Sequence, residues 1–73
     1  MSFNDAIRNV RLSCLMNQAQ FGNAIGVSFT TVNRWENGKS KPNLVAMKSI
    51  KAFCAANDID YSKIEASWLG LHD

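Results

Sequence analysis

Five side chains in the middle of the chain, Phe29, Thr30, Asn33, Arg34 and Asn37, fall at offsets i, i+1, i+4, i+5 and i+8. Those offsets share one side of an α-helix. The chemistry available there is selective hydrogen bonding. A guanidinium such as Arg34 can bridge the O6 and N7 of guanine, and the Asn33 amide matches adenine. Thr30 and Phe29 offer a methyl group and a ring to the methyl of thymine. A surface helix with a purely structural role usually shows acidic residues or several lysines on this side. A polar surface helix with one exposed aromatic is the plain alternative, and the flanking sequence decides between the two.

Groups suited to phosphate surround this side. Gln18 stands where a second helix should begin, at a terminus whose free backbone N–H groups favour an anionic oxygen. Ser28 can give its hydroxyl to a phosphate or spend it on a helix cap. Asn37, Lys39 and Lys41 come after the recognition-like segment in a short loop that could track a sugar-phosphate backbone, or could simply be solvated. Arg11 and Glu36 lie where a first and a third helix should meet. Their opposite charges are expected to pair as an architectural strut, with Arg11 a lesser candidate for phosphate.

The elements that must position these groups can be read in turn. Ser2 and Asp5 open helix 1, and Phe3, Ile7, Val10 and Cys14 form its inner stripe, running to about Met16. Asn17 with Gln20 resembles a capping box for helix 2, which carries Phe21 and Ile25 inward. Gly22 within it costs about 1 kcal/mol relative to alanine, which a close approach to helix 3 would explain. Gly26-Val27-Ser28 is a tight corner between helices 2 and 3, where glycine allows a left-handed backbone and Ser28 can cap helix 3. Helix 3 is predicted from about Phe29 to Asn37, with Val32 and Trp35 inward, stopping at Gly38. Pro42 keeps Lys39 to Lys41 out of the helical state. Asn43 caps helix 4, with Leu44, Met47, Ile50 and Cys54 facing the core and Phe53 alongside. Residues Ala55 to Asp58 fray into a turn. Helix 5 opens at Asp60 or Ser62, with Ser62 and Glu65 as a second capping box and Tyr61, Ile64 and Trp68 inward. No strand pattern is present, so the fold class is all-α.

Seventy-three residues with 47% hydrophobic and 19% charged composition describe one small domain that buries only about 60% of its unfolded surface. The net charge is +2 but unevenly spread. Residues 1–51 hold seven basic against two acidic side chains, and residues 52–73 hold one against four. A basic half bearing the corner suits a polyanion. Cys14 and Cys54 have no metal-ligand spacing and are expected as buried, reduced thiols, which with the lack of an apolar span or leader pattern gives a cytoplasmic expectation. Enzymatic readings lack parts: His72 is the only histidine, and there is no phosphate loop or carboxylate pair. No enzyme activity, metal, cofactor, small-molecule ligand or membrane partner is expected. Trp68, Leu69 and Leu71 are candidates for self-association.

Residues about 7 to 60 resemble the helix-turn-helix domain of the phage repressor and Cro family, also called the XRE family. Ile7, Val10, Arg11, Asn17-Gln18, Phe21-Gly22, Ile25 to Ser28, Val32, the run Arg34 to Lys39 and Pro42 carry the resemblance. It implies a compact five-helix, lambda-repressor-like domain with the helix-turn-helix at helices 2 and 3. It further implies sequence-specific binding of a double-stranded DNA operator, usually as a homodimer, by a transcriptional regulator expected to repress. By position, Gln18, Ser28, Asn37 and Lys39 would touch phosphate, and Phe29, Thr30, Asn33 and Arg34 would meet bases. Gly22 replaces the family's usual alanine, which would loosen helix 2, and Phe29 stands where a small or polar residue is common. An antitoxin or protein-interaction module on the same fold is the competing expectation, favoured by an exposed Phe29.

Overall fold

The computed structural model describes residues 2–70. Five helices succeed one another: α1 (Phe3–Ser13), α2 (Gln18–Ile25), α3 (Phe29–Glu36), α4 (Leu44–Ala56) and α5 (Ser62–Trp68), with no strand among the described residues. Leu71 and His72 lie outside the described residues.

Polar side chains start the first four helices. Ser2, Asn17, Ser28 and Asn43 each accept a hydrogen bond from a backbone N–H three residues on, relieving an otherwise orphaned donor. At α2 the box is complete: Asn17 Oδ1 accepts from the Gln20 N–H at 2.8 Å, and the Asn17 N–H donates to Gln20 Oε1 at 2.9 Å. The inner stripes then meet in one core. Phe3, Ala6, Ile7 and Val10 of α1 join Phe21 and Ile25 of α2, Val32 and Trp35 of α3, Met47, Ile50 and Cys54 of α4, and Ile64 of α5. Phe21 and Phe53 meet edge to face, their ring centroids 5.3 Å apart. Helix α3 packs on both α2 and α1, while α5 closes against α1 and α4 against α2. Thus α3 is gripped along its inner side and leaves its polar side outward.

The corner between α2 and α3 depends on two glycines. Gly26 adopts φ +80°, and the Val27 N–H turns back to the Gly22 carbonyl at 2.9 Å, the hydrogen-bond pattern that closes a helix end through a left-handed residue. Gly22 supplies room as well as an acceptor. A Cβ there would stand 2.6 Å from the Val27 carbonyl oxygen and 3.3 Å from the Ser28 carbonyl group. The close approach is therefore to the corner itself, and Gly22 is a fitted contact rather than a loose point in α2. Gly22→Ala is expected to lose stability by about 1–2 kcal/mol, because the backbone displacement outweighs the gain in helix propensity of about 1 kcal/mol. A urea midpoint that rises in this variant would contradict the assignment.

The structure corrects the sequence reading at several places. Helix α1 stops at Ser13, not near Met16: Leu15 takes φ +56° and the Met16 N–H bonds to the Arg11 carbonyl at 3.3 Å. The Arg11 guanidinium holds this reversal by donating to the Met16 carbonyl at 3.0 Å, a side-chain bond that the apolar spacing does not announce. Cys14 is consequently only partly buried, whereas Cys54 is fully buried. Helix α3 ends at Glu36 with Asn37 as its cap. Leu44 is 66% exposed rather than inward, because α4 turns the side of Met47, Ile50 and Cys54 to the core, and the loop before it is anchored by buried Pro42, whose carbonyl accepts from the Trp68 indole Nε1 at 2.7 Å. The Ser62–Glu65 box does not form. Tyr61 leads into α5 without a side-chain cap, and the Ser62 N–H donates instead to the Asp60 carboxylate at 2.9 Å. Helix α4 ends sharply rather than fraying, with Asp58 at φ +55° and the Ile59 N–H on the Cys54 carbonyl at 2.8 Å. That bond swings Ile59 back against the core.

Candidate nucleic-acid interface

The outward side of α3 presents Phe29, Thr30, Arg34 and Asn37 as exposed residues and Asn33 as half-buried. Phe29, at 55% exposure, stands at the start of the helix beside an open hollow of about 430 Å³ lined by Arg11, Asn17, Gln18, Ala19 and Phe29. The first turn of α2 borders this hollow, and the leading N–H groups of a helix favour an anion. Past the far end of α3, the Lys39 N–H donates to the Arg34 carbonyl at 2.9 Å, which turns the loop so that Lys39 remains exposed. The arrangement is thus an exposed hydrogen-bonding strip with an anion-suited hollow at one end and a lysine at the other.

Several of the predicted contacts have neighbours within the protein. Ser28 spends its acceptor capacity on the cap, taking the Thr31 N–H at 3.1 Å and sharing a hydrogen bond with the Thr31 hydroxyl at 2.9 Å. Lys41 reaches the last residue of α5, its Nζ donating to the Trp68 carbonyl at 3.4 Å. Asn37 donates to the Asn33 carbonyl at 3.0 Å and to Asn33 Oδ1 at 3.1 Å. Asn33 in turn donates to Gln18 Oε1 at 3.2 Å. Arg34 and Lys39 are the exposed cations nearest the strip that make no side-chain hydrogen bond among those described.

Beneath the strip lies a charge cluster. Glu36, 1% exposed, is the only buried charged residue among those described. Arg11 grips it side-on, Nε to Oε2 at 2.7 Å and an outer guanidinium nitrogen to Oε1 at 2.8 Å. Arg8 adds a contact at 3.4 Å to Oε1 and one at 2.9 Å to the Glu36 backbone carbonyl. Gln18 Nε2 also donates to Oε1, at 3.2 Å. All three Arg11 nitrogens bond within the protein, which makes Arg11 the strut expected between α1 and α3. The sequence reading found the Arg11–Glu36 pair but missed Arg8 and the Gln18 side chain. Arg8 was findable, since it precedes Arg11 by three residues and so shares its side of α1.

Burial by itself would raise the Glu36 pKa. Hydrogen bonds from Arg11, Gln18 and Arg8, together with the Arg11 charge, outweigh it and hold the carboxyl below the ordinary value of 4.5. The same contact raises Arg11. A depressed folded-state value means that the unfolded chain binds the proton first, so the stabilisation is complete above the ordinary value and lost as pH falls below it. Thermal melts should therefore be nearly constant from neutrality to about pH 5 and drop below about pH 4.5, to which the hydrogen-bonded Asp60 contributes in the same sense. A melting temperature unchanged between about pH 5 and pH 3 would refute this. Burial raises the Cys54 thiol, which keeps it neutral and unreactive.

Trp68 is half-buried and bonded to Pro42, hence part of the fold rather than a free apolar surface, while Leu69 is 56% exposed. No group of three or more His, Cys, Asp or Glu that could hold a metal occurs among the described residues, and none of their helices is long and apolar enough to cross a membrane.

Comparison with known proteins agrees with this geometry. A family model described as helix-turn-helix matches residues 7–54, which runs from within α1 through most of α4. The HTH-type transcriptional activator BcrR of Enterococcus faecalis is 34% identical over 53 residues, covering 73% of this chain and 26% of that protein. The chain thus spans about a quarter of the length of the curated relative it matches. No solved structure matches it significantly. With the capped corner at Gly26, the gripped inner side of α3 and a family match across most of the chain, the protein belongs to the XRE-type helix-turn-helix family.

Proposed function

We propose that this domain binds double-stranded DNA sequence-specifically as a regulator of transcription, with α3 entering the major groove. The observation that supports this most directly is the outward side of α3: it is not covered by the protein's own residues and carries guanidinium, amide, hydroxyl and aromatic groups in one strip. Phosphates are held by the α2 terminus at the hollow near Gln18, by Ser28, and by Lys39 and Lys41 in the loop, with Asn37 joining them only where its NH2 group turns away from Asn33. Bases are met by Phe29, Thr30, Asn33 and Arg34. Two copies of α3 in successive major grooves would sit about 34 Å apart on a pseudo-palindromic operator, with exposed Leu69 beyond the end of α5 offered for pairing. Regulation is by occupancy in the cytoplasm, repression arising where the operator overlaps the path of polymerase. The relative named a transcriptional activator favours a second reading, activation through the same DNA contact from an operator placed upstream.

Titration of a random duplex against salt tests the first step. DNA binding requires log K to fall with log salt by about 0.9 per phosphate neutralised, and Lys39→Ala should reduce that slope by about one while weakening all sequences alike. Absence of affinity for any duplex at low ionic strength would instead favour the antitoxin or protein-interaction reading, for which exposed Phe29 is the supporting feature.

A further inference from the structure

The side-chain amides of Gln18, Asn33 and Asn37 form one continuous chain of hydrogen bonds that starts on the Glu36 carboxylate: Gln18 Nε2 to Glu36 Oε1 at 3.2 Å, Asn33 Nδ2 to Gln18 Oε1 at 3.2 Å, and Asn37 Nδ2 to Asn33 Oδ1 at 3.1 Å. An amide can be turned either way round, so the direction of such a chain needs a cause. Here both ends are acceptors that cannot donate. An ionised carboxylate only accepts, and Glu36 is held ionised by two arginines. Gln18 must therefore present its NH2 group to Glu36 and its oxygen to Asn33. At the other end, Asn37 Nδ2 also donates to the Asn33 backbone carbonyl at 3.0 Å, which likewise only accepts. Asn37 must then show its NH2 group to Asn33. Asn33 is fixed from both sides, its NH2 toward Gln18 and its oxygen toward Asn37.

We infer that Glu36 and Gln18 are positioning residues for base recognition, locking the Asn33 amide in one orientation with a single N–H and a single oxygen lone pair left to offer. One donor and one acceptor on the same amide are what the N7 and N6 of adenine take up in the major groove. The inference rests on the proposed DNA reading and deepens it, since it assigns an A·T preference to Asn33 and makes that preference depend on residues that contact no base. It also changes the role of the Gln18 side chain. With its NH2 on Glu36 and its oxygen on Asn33, that side chain serves orientation, and any phosphate at this corner is met by the α2 backbone.

The decisive variant is Gln18→Leu, which breaks the chain in its middle while leaving Glu36 its two arginines. Two measurements on the full chain separate the possible failures. In the free protein, the Asn33 side-chain amide protons should give distinct, exchange-protected NMR signals that collapse toward solvent-exposed values in Gln18→Leu. Unchanged signals would overturn the orientation relay whether or not DNA binds. In selection from a random duplex pool, Gln18→Leu should lose preference at one A·T pair by roughly tenfold or more. The loss should match that of Asn33→Ala, and the double variant should lose no further. A uniform loss across sequences that adds to the effect of Asn33→Ala would show Gln18 to be a phosphate contact and would sink the inference. If the unaltered chain binds no duplex, the DNA reading falls and the specificity role with it.

Discussion

Glu36→Ala is expected to lower stability by about 3–5 kcal/mol, the range found when one partner of a shielded ion pair is removed. A domain of this size has on the order of 5–10 kcal/mol in total, so the variant should lose roughly a third to a half of its stability and melt well below the unaltered protein. The cause is less the loss of an attractive contact than the group left behind. The Arg11 side chain is 13% exposed and would be held in the interior with no carboxylate, and the Gln18 amide would lose its acceptor. Arg8, at 41% exposure, can turn to water, which places the expected loss toward the lower end. An Arg11→Leu/Glu36→Leu double variant should be more stable than Glu36→Ala alone, because it removes the stranded charge together with its partner. Urea denaturation of the three proteins checks both statements. A loss under about 1 kcal/mol in Glu36→Ala would mean that the cluster is solvated in solution.

Arg34→Ala should leave the fold untouched and change what the domain recognises. The side chain is exposed on α3 and makes no described side-chain hydrogen bond, so its removal exposes no buried group. Its cost should appear at a single guanine, about 1–3 kcal/mol of discrimination, while affinity for random duplex falls only by the loss of one positive charge. The comparison with Lys39→Ala is the sharper form of the test. Lys39 sits beyond the end of α3, where it can meet a phosphate but no base edge, so its loss should be the same for every sequence. Binding-site selection with both variants distinguishes the roles, and identical sequence profiles in the two would defeat the assignment of Arg34 to base readout.

These effects are large or selective for one reason. The helix that faces outward is the same one whose end carries the only buried charged residue described, so a single turn of α3 separates Asn33 and Arg34 from Glu36. In the proposed reading Gln18 couples stability to recognition, because its side chain bonds both Glu36 and Asn33. Substitutions at Gln18 are therefore poor guides to phosphate contacts unless the state of Asn33 is monitored at the same time.

Much of this molecule was legible from the residues alone. Apolar spacing gave five helices and nearly all of the core, since a helix of period 3.6 must bring Ile7 and Val10, or Phe21 and Ile25, to one side. Local capping chemistry placed the starts of α1 to α4, because Ser2, Asn17, Ser28 and Asn43 bond to backbone only three residues away. The corner at Gly26 and the outward set on α3 were readable for the same reason. What the sequence did not contain is the outcome of contests between distant groups. Arg8 and Arg11 converge on Glu36 twenty-eight and twenty-five residues away, and the Trp68 indole is drawn to the Pro42 carbonyl twenty-six residues back. Gln18, assigned to phosphate by its place at a helix start, has its side chain drawn to Glu36 eighteen residues on. A short-range pattern fixes backbone hydrogen bonds within a turn or two. Which of several polar partners a side chain takes is settled only when folding brings them to the same few ångströms and one of them, here a buried carboxylate that can only accept, leaves the others a single way to turn.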